Sequence, residues 1–192
     1  MRIPSFLLLI FPLAGFATTL PDLSYDRLVS LSDTVVVGEI TGARFGGTSE
    51  LPCSAIYDVR ITRVVSGPVK IDQVITVGPY SGMELGSGYL FFLGKTESAK
   101  RLIASTNSLA ESDENAREKR CAKTTKPEYA VLMEGVGALK ITDTYDTKGA
   151  GGIVHFPPLW IVPPERVKVT ESPFQATTWG KEKLVSLDEL VK

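Results

Sequence analysis

Residues Ser32 to Gly47 read SDTVVVGEITGARFGG. Three valines run into a glycine and more glycines follow. The stretch is either the first strand and phosphate loop of a nucleotide-binding enzyme or a strand of a small barrel. A dinucleotide fingerprint needs G-x-G-x-x-G at the strand end, then a helix whose amino terminus faces the pyrophosphate. Here the glycines stand at 38, 42, 46 and 47, and the following TSELPCSA carries Pro52 and no helical period. A P-loop fails as well, because Tyr89 occupies the Walker position that must be glycine ahead of Lys95. What remains is a period of two: Val36, Gly38, Ile40 and Gly42 on one face, Glu39, Thr41 and Ala43 on the other. Glycine on the apolar face reads as space made inside a strand that coils within a small barrel.

The neighbouring segments support the barrel. In CSAIYDVRITRVVSG, Ala55, Tyr57, Val59 and Ile61 alternate with Asp58, Arg60 and Thr62, the mark of one buried and one wet face. After the turn at Ser66 to Pro68, Val69, Ile71, Ile75 and Val77 supply a third strand. A glycine-rich connector leads to YLFFLGK, apolar on both faces and therefore a central strand covered on both sides, and RLIAST follows as a fifth. Parallel strands need long crossovers, and no long helix separates any two of these strands. The pattern predicts an antiparallel barrel or sandwich, mainly β, with short helices, and the glycines of the first strand favour the barrel.

Beyond the barrel, EYAVLMEG, GALKIT and GIVHFPPLWIVPP predict further C-terminal strands. Ser24 is placed to cap a short helix ahead of Leu28, and Ser112 another in the charged run Glu111 to Glu128, read as a solvated surface helix carrying Cys121, with a binding patch as the alternative. Ser186 and Glu189 have capping-box spacing for a short terminal helix.

Residues 1–17, MRIPSFLLLIFPLAGFA, place Arg2 before an apolar run that ends in small residues, the pattern of a secretory signal peptide. The run is too short for a spanning helix and is interrupted by Pro4 and Pro12, so no integral membrane anchor is expected. Residues 18–192 are expected to form one domain, secreted or periplasmic, with its barrel core at about 28–105. Without residues 1–17 the chain keeps 20 basic and 22 acidic residues, a net charge of −2, which argues against nucleic acid as a partner. In an oxidising compartment Cys53 and Cys121 are expected to form a disulfide. It would close a loop of about 69 residues, worth on the order of 4 kcal/mol.

No motif commits the chain to chemistry. GPYSG at 78–82 has the order G-x-x-S-G and not that of a nucleophile elbow. Asp143 and Asp146 lie in a turn-like TDTYDTKGAGG without the ligand spacing of a calcium loop. Two cysteines and His155, the single histidine, lack the paired short spacing of zinc sites. No metal, cofactor or catalytic residue is therefore assigned, and His155, among apolar neighbours on a strand, reads as structural, with a histidine base as the alternative. The segment FPPLWIVPP offers Phe156, Leu159 and Trp160 as candidate partner-binding residues, the alternative being that Phe156 and Trp160 plug the core.

Three pieces, LVSLSDTVVVGEITGARF, YDVRITRVVSGPVKIDQVITVG and LGSGYLFFLGK, resemble the OB-fold barrels of the netrin-like and tissue-inhibitor-of-metalloproteinases type over about residues 28–105. The resemblance implies an OB-like barrel. Those inhibitors chelate zinc through an amino-terminal cysteine, whereas the mature chain here is expected to begin at Thr18, so no inhibitory residue carries over. The sequence thus points to a non-enzymatic module that binds a protein or envelope component. A small hydrolase or metal-dependent enzyme using His155 is the alternative, and a structural envelope protein a further one.

Overall fold

The computed structural model describes residues 23–47, 52–80, 82–95, 127–142, 151–158, 160–177 and 180–192. Helix α1 (Tyr25–Leu31) precedes β1 (Thr34–Gly47), β2 (Pro52–Ser66), β3 (Val74–Tyr80), β4 (Gly88–Lys95) and β5 (Tyr129–Val131). A 3-10 turn (Leu132–Gly135) then leads to β6 (Ala138–Thr142), β7 (Ile153–Phe156), β8 (Thr170–Thr177), β9 (Gly180–Ser186) and helix α2 (Leu187–Leu190).

Five strands close a barrel in the order β1-β2-β3-β5-β4, with β4 returning to β1, and all pairings are antiparallel except β3 with β5. This is the OB-like barrel expected. Its fifth strand is Tyr129–Val131, well beyond residue 105, and the RLIAST segment lies outside the described residues. So short a strand is held by a reciprocal clasp: the Thr76 amide donates to Glu128 Oε2 at 3.2 Å and the Glu128 amide to Thr76 Oγ1 at 2.9 Å.

The barrel is filled by Val36, Ile40, Tyr57, Val59, Ile61, Ile75, Val77, Phe91 and Leu93, all buried, as the alternation in β1 to β4 predicts. Strand β4 is buried on both faces, as YLFFLGK demands: Phe91 and Leu93 point into the barrel, while Leu90 and Phe92 join a second core outside it. That second core also takes Val35 and Val37 of β1, Tyr25 and Leu28 of α1, Val154 and Phe156 of β7, and Leu187 and Leu190 of α2. The C-terminal strands continue the sheet from β4 through β6, β7 and β9 to the edge strand β8, where Pro173 falls at a register shift.

Three local expectations are corrected. Gly38 faces the barrel interior, where a Cβ would lie 2.4 Å from Val59 Cγ1, but Gly42 faces the Asp58 carboxylate. A register shift between Ile40 and Gly42 inserts Thr41, so Ala43 takes the inward side in place of Gly42. Ile71 belongs to no strand: it is 59% exposed in the turn before β3, beside Asp72 with φ 64°. Ser24 caps α1 through its Oγ, at 3.2 Å from the Arg27 amide, but Ser186 makes no such bond, and Glu189 instead accepts from the Lys168 amide at 2.9 Å. The helix expected at Ser112 lies outside the described residues.

Two ties fasten the C-terminal strands to the barrel. Tyr25, 2% exposed, meets Phe92 edge-on at 5.4 Å between centroids and donates its hydroxyl to the Leu190 carbonyl at 3.1 Å. Burial pushes its phenol pKa up, against the pull of Arg166. Across the molecule, Arg63 of β2 pairs with Asp188 of α2 at 2.6 Å, and the same carboxylate accepts the Gly151 amide at 3.0 Å. These two bonds hold the Asp188 pKa below its ordinary value.

Candidate functional site

Strand β7 ends at Phe156, and the prolines at 157 and 158 lack the amide hydrogen that would extend its ladder. From there a strap, 157–164, runs to a second proline pair, Pro163 and Pro164, both buried. The strap is bound to the start of α1: the Val162 amide donates to Leu23 at 2.9 Å and the Tyr25 amide to Val162 at 3.0 Å, around a parallel bridge between Ser24 and Val162. Extended backbone alternates its side chains. Ile161 is consequently driven into the outer core at 3% exposure, while Trp160 and Val162 stand out at 48% and 46%. Burying Ile161 stabilises the strap by about 1.5–3 kcal/mol. Past the second proline pair, Arg166 lies over the Tyr25 ring at 5.9 Å and pairs with Asp26 at 3.0 Å.

The residues singled out from the sequence therefore separate. Phe156 is fully buried against Tyr25, at 6.4 Å between ring centroids, so it is a core residue and not a contact for a partner. Its side chain follows Val154 on the inner face of β7, which pairs with β9 and packs on the outer core. Trp160 is exposed, which removes it from the core plug. Leu159 and Cys121 lie outside the described residues, and Cys53 falls within β2 with its side chain undescribed, so the expected bridge falls outside them too.

His155 is not an isolated strand residue. Its Nδ1 lies 3.0 Å from Glu182 Oε2 on β9, and its Nε2 lies 2.9 Å from Thr142 Oγ1 on β6. The registers explain the meeting: Thr142 faces Ile153, and His155 faces Leu184, so the three polar side chains are diagonal neighbours on one face of three adjacent strands. Neither Thr142 nor Glu182 carries a sequence signal; they lie 13 and 27 residues from His155 and only the register joins them. Lys140, two residues before Thr142 on the same face, donates to Glu84 at 2.7 Å. That bond raises the pKa of Lys140 and lowers that of Glu84, and Glu182 adds to the pull on Lys140. Among the described residues no group of three His, Cys, Asp or Glu side chains is placed to hold a metal ion.

Several other cations are also matched. Arg44 with Asp58, Arg60 with Glu39, Arg63 with Asp188 and Lys181 with Glu171 all form ion pairs. Among the described residues no helix is long and apolar enough to cross a membrane. Comparison with protein-family models, curated proteins and solved structures finds no match to this chain.

Proposed function

We propose that the protein is an interaction module, secreted or periplasmic, that recognises a protein or another envelope component through the strap at 157–164, by binding and not by turnover. The observation that carries this reading is the pair Trp160 and Val162, large, apolar and half-exposed on a backbone already fixed by two hydrogen bonds and bracketed by prolines. Aromatic anchors dominate interface energetics, and a segment ordered before binding loses little entropy when it docks. The matched ion pairs and a net charge of −2 without residues 1–17 favour such a partner over nucleic acid. The OB-like barrel is compatible with many binding modules, and inhibition of metalloproteinases is not part of the proposal. Export of the mature chain from residue 18, with Cys53 bridged to Cys121, completes the reading.

A photoreactive residue introduced at position 160, in cells that make the protein, tests it. A discrete crosslinked product formed from position 160 and not from position 71 is expected. Equal products from both exposed positions would refute a specific strap.

A further inference from the structure

We propose that Thr142 is a reactive hydroxyl, activated by His155 and oriented by Glu182, that accepts an acyl group from an activated ester or thioester. The site is separate from the strap and stands whether or not the strap binds a partner.

In the tautomer that carries its hydrogen on Nδ1, the ring donates to Glu182 Oε2 at 3.0 Å, an oxygen that accepts. Nε2 is then left with its lone pair, and the contact at 2.9 Å is a hydrogen bond donated by the Thr142 hydroxyl. The order hydroxyl, imidazole, carboxylate is that of an activated nucleophile, its base and the group that orients the base. Exposure suits the roles: Thr142 is exposed at the end of β6, while the His155 and Glu182 side chains keep 25% and 39%. The strands of β6, β7 and β9 hold the three groups more rigidly than loops would.

The step balances within these groups and the acyl donor. Thr142 Oγ forms a bond to the acyl carbon and its proton passes to His155 Nε2. The bond from the acyl carbon to the leaving alcohol or thiol then breaks, and that group departs with the proton returned from Nε2. Thr142 is left as an ester, with no oxidant or metal required.

The probe is a fluorophosphonate, whose fluoride leaves as Oγ bonds to phosphorus, applied to the mature protein and followed by intact-mass and peptide mass spectrometry. One adduct per chain at Thr142 is expected, absent in Thr142→Val and retained in Thr142→Ser. In His155→Gln the labelling rate should fall by about 100-fold or more, the usual contribution of a positioned base. Glu182 is a positioning residue, so Glu182→Gln should slow labelling and change its pH profile, with Glu182→Asp restoring part of both. Thermal unfolding of each variant checks that it is folded. Absence of an adduct in the wild type, or labelling of Thr142 at the same rate in folded His155→Gln, would overturn the proposal.

Discussion

Substituting alanine for each of two glycines four residues apart in β1 should have unequal consequences. At Gly38 the new Cβ would lie 2.4 Å from Val59 Cγ1 and 3.1 Å from the Arg60 carbonyl oxygen, with Phe91 Cε2 at 3.6 Å. Neither close neighbour can yield: Val59 is fully buried and stiff about χ1, and Arg60 is held in the ladder opposite Glu39. Overpacking of a tight core costs about 1–3 kcal/mol, and the lower entropy of the unfolded alanine chain offsets about 0.4–1 kcal/mol. The net destabilisation of Gly38→Ala is about 1–2 kcal/mol, which for a chain of this size lowers Tm by about 2–8 °C. At Gly42 the Cβ would meet only the Asp58 side chain, nearest at Oδ2, 2.9 Å away, and that carboxylate can swing into water. Gly42→Ala should therefore stay within about 0.5 kcal/mol of the wild type. Differential scanning calorimetry of the two variants measures the contrast. Equal melting temperatures would refute the assignment of Gly38 to the barrel interior and of the bulge at Thr41.

Other consequences are as direct. Phe156→Ala should cost about 3–5 kcal/mol in denaturant titration, as for a large aromatic removed from a core, whereas Trp160→Ala should leave stability nearly unchanged. Tyr25→Phe removes the bond to the Leu190 carbonyl and should cost about 1 kcal/mol by thermal unfolding. Asp188 has a depressed pKa in the folded state, so its pairing contributes stability that is full above the ordinary carboxylate value and is lost as pH falls through the folded one. Asp188→Asn should thus be less stable than wild type at neutral pH, and the gap should close below about pH 4, where the unfolded carboxylate protonates. A count of free thiols in the exported protein should be zero before reduction and two after it.

Strand positions were legible wherever one face is buried and the other wet. Ala55 to Ile61 and Tyr89 to Leu93 show their alternation or two-sided burial directly, because side-chain direction has a period of two. What was not legible depends on partners distant in sequence. The closing strand, Tyr129–Val131, is only three residues long and is placed by its pairing with β4 and by the Thr76–Glu128 clasp, which no local pattern announces. The bulge at Thr41 breaks the period without any change in composition, so Gly42 and Ala43 exchange faces. Val69 and Ile71 share a strand-like pattern, yet the Asp72 turn sends Ile71 outward. At the candidate sites, prolines marked the strap and made Trp160 visible, but Phe156 could be assigned to the core only once β7 was paired with β9. Thr142 and Glu182 acquire meaning solely through register.

Trp160 is the proposed anchor for a partner, and the affinity of the purified partner for the wild-type and Trp160→Ala proteins tests that assignment. An anchoring aromatic contributes about 2 kcal/mol or more, so Kd should rise by about 30-fold or more, while Ile71→Ala, equally exposed in the turn before β3, should leave it unchanged. An unchanged Kd for a correctly folded Trp160→Ala protein would contradict the account.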